Sequence, residues 1–127
     1  MSNQKYYWKA LRHGNGKLFS DYDRSEWTIG VERKVDPPEE ECVGLNCSPT
    51  IPEAVAYVQG KAIAKVTIGG KIISGNDKLT CERMTVIEAW ECDCSGIVDE
   101  YSAKRKPIAR SFHKKLVKRL KDMEKIA

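Results

Sequence analysis

The 127 residues fit one domain, and a composition of 41% hydrophobic and 31% charged residues excludes wholesale disorder. No stretch approaches the roughly 18 apolar residues that a membrane-spanning helix needs, and Met1-Ser2-Asn3-Gln4-Lys5 leads into no apolar run, so neither a membrane span nor a secretory leader is expected. The formal net charge of +4 is uneven: Lys104 to Ala127 holds ten Lys or Arg against Asp122 and Glu124 and carries +8, leaving −4 for the rest.

In chain order, the aromatic-rich segment Lys5 to Leu11 predicts a first strand. Arg12-His13-Gly14-Asn15-Gly16 reads as a turn, because glycine and asparagine tolerate positive φ. Lys17 to Ser20 is a short return strand and Asp21 to Ser25 a polar loop. Trp27 to Val35 predicts a further strand, with Gly30 as a bulge. Pro37-Pro38-Glu39-Glu40-Glu41 reads as surface loop.

Thr50-Ile51-Pro52-Glu53 is a capping box: Thr50 caps a helix, Glu53 reaches back to it, and Pro52 sits in the first turn where a missing N–H does no harm. A helix over 51–59 follows, with Ala54, Val55 and Val58 as its apolar stripe and Gly60 at the residue after its cap. Ala62 to Ile68 and Lys71 to Ser74 predict strands joined by a two-residue Gly69-Gly70 hairpin turn. After a turn at Gly75-Asn76-Asp77-Lys78 comes a long strand, Leu79 to Trp90, whose alternating sets are both mixed, which predicts partial cover on both faces. Residues 93–106 read as a linker. From Pro107, the residues Ala109, Phe112, Leu116, Leu120 and Met123 recur at helical spacing with bases around the remaining circumference. The expected organisation is an α+β core over 1–92, a linker over 93–106 and a basic amphipathic helix over 107–127. The core is expected to be a twisted, mainly antiparallel sheet with one short helix packed on it.

Five cysteines, Cys42, Cys47, Cys81, Cys92 and Cys94, form an odd set that predicts reduced thiols and a cytoplasmic setting. Cys42-x4-Cys47 and Cys92-x-Cys94 fit structural zinc poorly, since two or so intervening residues per pair are usual. Asp21, Asp23 and Glu26 lack the ligand order of a calcium loop, so no metal is expected. The two histidines are His13 and His113, and His113 reads as a surface residue of the basic helix. No G-x-S-x-G elbow or phosphate-binding glycine loop occurs.

His13-Gly14 after a strand, Gly44-Leu45-Asn46-Cys47-Ser48 leading into a helix with Ala54-Val55-Ala56-Tyr57, and Glu82 in a late strand resemble, in order, the His, Tyr, Glu pattern of ADP-ribosyltransferases. That resemblance implies an NAD-dependent reaction in which His13 holds the nicotinamide ribose, Tyr57 stacks on nicotinamide and the Glu82 carboxylate stabilises the oxocarbenium-like transition state. A second resemblance spans Trp8 to Trp90. Trp8-Lys9-Ala10, Cys42-Val43-Gly44-Leu45-Asn46-Cys47-Ser48, Ala54 to Tyr57 and Asp77-Lys78 look like an uncharacterised domain of phage and bacterial proteins, with Asn46 where that pattern has histidine. It implies a phage or mobile-element origin and no known reaction, and on that reading no cofactor is expected.

Two functions are therefore carried forward. The first is a non-catalytic accessory module that binds nucleic acid or an acidic protein surface through Lys104, Arg105, Lys106, Arg110, Lys114, Lys115, Lys118 and Arg119. The second is the NAD-dependent enzyme of His13, Tyr57 and Glu82. Residue pattern alone leaves the oligomeric state open.

Overall fold

The computed structural model describes residues 4–101 and 108–126. They form an α+β fold built on one mainly antiparallel sheet, in agreement with the class expected. Its strands are β1 (Tyr7–Gly14), β2 (Lys17–Phe19), β3 (Glu26–Trp27), β4 (Arg33–Lys34), β5 (Leu45–Cys47), β6 (Ala62–Ser74) and β7 (Leu79–Glu91). They run in the order β3-β2-β1-β6-β7-β4, and β5 also pairs with β7. The helices are α1 (Ile51–Tyr57), α2 (Cys94–Glu100) and α3 (Ala109–Lys121).

Alternation along β1 creates two cores, because successive side chains point to opposite faces. Tyr7 and Leu11 join Trp27, Cys47, Val66, Cys81, Met84 and Val86 on one face. Trp8 and Ala10 join Ile51, Val55, Ile63, Trp90, Ile97, Leu116 and Leu120 beneath the helices. β7 gives Leu79, Cys81, Met84, Val86 and Ala89 to the first core and Trp90 to the second, and its pattern is mixed because its register against β6 shifts twice. The sheet curls, and an isolated bridge fastens it: Trp8 N–H donates to Ser48 O and Ser48 N–H to Trp8 O, both at 2.8 Å.

Several local expectations are corrected. Gly69-Gly70 is not a hairpin turn. β6 runs unbroken through it, the register shifts between Gly69 and Ile72, and Gly70 at φ +74 makes a bulge whose Lys71 N–H donates to Glu82 Oε1 at 3.1 Å. The chain reverses instead at Gly75 to Lys78, closed by Gly75 N–H to Lys78 O at 2.8 Å. The strand expected over 27–35 is broken in two, since β3 pairs with β2 and β4 with β7, so the intervening residues must cross between sheet edges. Gly30 supplies a φ of +86 in that crossing and its N–H donates to Val86 O. Pro38, expected on the surface, is fully buried.

α1 starts where the capping box places it, with Glu53 N–H and Thr50 Oγ1 as donor and acceptor at 3.4 Å. It ends at Tyr57, earlier than expected, with Val58 extended as its cap. Gly60 is required for a reason other than a left-handed cap: a Cβ there would lie 2.1 Å from Leu11 O. The linker expected over 93–106 contains α2, capped by Asp93, whose side chain accepts from Ser95 N–H at 3.0 Å. The C-terminal helix, α3, packs on the core through the buried Leu116 and Leu120.

Gly60→Ala should therefore destabilise the fold by about 2–3 kcal/mol, since the added methyl meets backbone that cannot yield like a side chain. Urea unfolding alongside Gly14→Ala, whose Cβ meets nothing within 4 Å, checks this. Equal effects of the two changes would contradict the steric reading.

Candidate functional site

On α3 the apolar stripe points inward and the bases outward. Arg110, Lys114, Lys115, Lys118 and Lys121 are all exposed. At helical spacing they occupy an arc of roughly 140° opposite the buried stripe and span about 16 Å of helix axis. Among the described residues none of these five has an ion-pair partner. Arg119 differs, since its guanidinium grips the Glu100 carboxylate of α2 through both nitrogens, at 3.1 and 3.4 Å. Beyond the helix Lys125 pairs with Glu88, which also faces Lys65 at 3.6 Å. Lys104, Arg105 and Lys106 lie outside the described residues. The structure thus retains Arg110, Lys114, Lys115 and Lys118 as a solvent-facing group, adds Lys121, and gives Arg119 an internal task.

His113 is not the surface residue expected. It is half-buried, its ring meets the Trp8 ring edge-on at 5.3 Å between centroids, and its Nδ1 accepts from Ile51 N–H at 3.1 Å. An imidazole that accepts at Nδ1 carries its proton at Nε2. His113 therefore caps α1 from the side and fixes where α3 sits.

His13, Tyr57 and Glu82 occupy three separate surroundings. Leu11 lies opposite Ala62 and Cys81 opposite Ile72, so His13 and Glu82 stand toward opposite ends of β6. His13 lines an open depression of about 380 Å³ with Arg12, Gly14, Phe19 and Arg24. Glu82 is engaged with Lys71 in the bulge. Tyr57, 49% exposed at the end of α1, donates to Asp77. His13 and Glu82 would both have to lie within hydrogen-bond reach of one ribose, and the strand register sets them toward opposite ends of β6.

Residues of the second resemblance do converge. Lys78 Nζ touches Cys42 Sγ and lies 4.9 Å from the centroid of the Tyr57 ring. Asp77 accepts from Tyr57, and burial together with that carboxylate raises the phenol above its ordinary range. Below this layer Cys42 N–H donates to Thr80 Oγ1 at 2.9 Å, and Thr80 Oγ1 donates to Asn46 Oδ1 at 2.7 Å. Deeper still, Lys9 Nζ donates to Asn46 O at 2.7 Å. Its amine lies 5.7 Å from the centroid of Trp27, a ring that also carries the Arg33 guanidinium at 3.9 Å. Burial lowers the Lys9 amine below its ordinary value, with the Cys47 and Cys81 thiols as neighbours that oppose the shift. Lys9 keeps some accessible surface even so.

The other thiols are shielded. Burial pushes Cys47 and Cys94 up to about 12 and Cys81 up to about 11, and also raises the half-buried Cys92. Among the described residues no three His, Cys, Asp or Glu side chains group as a metal-ligand set. Comparison of the chain with family models, curated proteins and solved structures finds no match.

Burial lowers the His113 imidazole below 6.5. The unfolded chain then takes up the proton first, so stability should fall as pH drops through 6.5 and level off once the folded protein is protonated as well. Protonation also turns the Nδ1 acceptor into a donor that faces Ile51 N–H. Thermal melts across this interval should show the decline, and His113→Asn should flatten it, whereas an unchanged slope in the variant would remove His113 as its source.

Proposed function

We propose that this protein is a non-catalytic binding module that holds the phosphate backbone of double-stranded nucleic acid against the outer face of α3. The observation that carries this reading is the group Arg110, Lys114, Lys115, Lys118 and Lys121, exposed together on a helix whose opposite face is buried. Such a row of cations exchanges condensed counterions for direct phosphate contacts, a sequence-independent source of affinity. Phe112, the helix's aromatic residue, stacks on Tyr101 at 5.6 Å and is not free to stack on bases. That favours a duplex backbone over an unpaired strand. An accessory role in a phage or mobile element, met in the cytoplasm, fits such a partner and agrees with the resemblance of the Trp8 to Trp90 pattern.

With about five phosphate contacts, log K should fall with log salt at a slope near −4. Replacing Lys114, Lys115, Lys118 and Lys121 with Gln should reduce the slope to about −1 and weaken two unrelated duplexes equally. Stability should be almost unchanged, since exposed charges contribute little to folding. Fluorescence anisotropy over a salt series measures all three. Absence of duplex binding at low salt would reject the reading and leave an acidic protein surface as the partner to test.

A further inference from the structure

The contact between Cys42 and Lys78 joins a thiol to an amine in a setting that the polyanion reading does not use. Cys42 is exposed and holds a φ of +71, a conformation that side chains seldom adopt. Its position is imposed by its neighbours. Its N–H is tied to Thr80 Oγ1 in β7, while Lys78 immediately precedes that strand. The same stretch of chain therefore presents both groups. The amine is held from the other side by the face of Tyr57, and Tyr57 is itself held by Asp77. Cys47, Cys81 and Cys94 are buried and Cys92 is half-buried, so a small oxidant arriving from solvent meets the Cys42 sulfur first.

We propose that Cys42 and Lys78 form an oxidisable thiol–amine pair: hydrogen peroxide converts the thiol to a sulfenic acid, and the lysine amine captures it as a sulfur–nitrogen cross-link. In the first step the O–O bond breaks and a sulfur–oxygen bond forms. Sulfur loses two electrons to the peroxide, and one water leaves. In the second step the Lys78 nitrogen, having released the extra proton of its ammonium form to solvent, attacks sulfur. The sulfur–nitrogen bond forms, the sulfur–oxygen bond breaks, and a second water departs with one amine hydrogen. This step involves no further oxidation, and it parallels the known condensation of sulfenic acid with a backbone nitrogen. Contact makes the capture intramolecular, so it competes well with dissolved thiols. Two equivalents of a small thiol reverse the link, regenerating Cys42 and Lys78 and leaving a disulfide of the small thiol. The link would staple the loop before β5 to the turn between β6 and β7.

The test is brief exposure of the full chain to hydrogen peroxide, followed by intact-mass measurement and peptide mapping with and without dimedone. The expected product has lost two hydrogens, maps to a linkage between the Cys42 and Lys78 peptides, and reverts with dithiothreitol. Lys78→Arg keeps a cation over Tyr57 but lacks the nucleophilic amine. In that variant the linkage should be lost and Cys42 should instead accumulate as the dimedone adduct. Cys42→Ser should abolish the product. The proposal is overturned if Cys42 stays unmodified while other cysteines react, if the lost hydrogens map to a disulfide, or if the wild-type chain yields as much dimedone adduct as Lys78→Arg.

Discussion

Trp8 fastens this fold in two directions at once. Its backbone exchanges two hydrogen bonds with Ser48, which joins β1 to the end of β5 and holds the curl of the sheet. Its side chain turns to the other face, where it meets Trp90 at 6.2 Å and the His113 ring at 5.3 Å. Strand alternation makes the two roles compatible, because the backbone pairs in the plane of the sheet while the ring stands out of it. Without the first contact the concave core around Leu11, Val66 and Val86 opens at its edge. Without the second, α3 loses the surface that orients its basic face. Sheet closure and helix placement thus meet in one residue.

What could be read in the sequence was what local chemistry decides. The capping box at Thr50 is self-contained, so the start of α1 was legible, and the amphipathic stripe of α3 was legible because helical spacing alone creates it. Gly69-Gly70 misled because two glycines between apolar runs satisfy a tight turn and a bulge equally well; pairing with β7, across the whole hairpin, decides for the bulge. The strand expected over 27–35 failed similarly. Its residues favour extended backbone, but partners on opposite edges of the sheet divide it. α2 did leave a signal, Asp93 ahead of Ile97 and Val98, which the glycine and serine between them obscured. Gly60 was recognised for the wrong property: what matters is its closeness to Leu11 O rather than its freedom in φ.

The candidate sites divide along the same line. Bases on the outside of α3 follow from spacing, and their exposure was predictable once the apolar stripe was seen. Arg119 is not separable from them by spacing, because its partner Glu100 lies on α2, outside its own helix. The contacts among Cys42, Tyr57, Asp77 and Lys78 join a loop, a helix end and a turn, and no spacing rule brings those together. Lys9 shows the limit most clearly. Its position in the alternation of β1 is shared with Tyr7 and Leu11, which places its amine beside Asn46 and Trp27, partners far from it in sequence.

Because α3 is already folded and seated on Trp8, Trp90 and Ile97, the orientation of its outer face is settled before any partner arrives. A free basic peptide of the same composition would have to order its backbone on binding, and that ordering opposes association. On the proposed binding to a polyanion, only the lysine and arginine side chains would lose freedom. The proposed association would then be dominated by released counterions, with little change in heat capacity, because it would need neither coupled folding nor burial of apolar surface. The face is preorganised as a rigid strip of charge, whose reach is set by the length of the helix rather than by the flexibility of a tail.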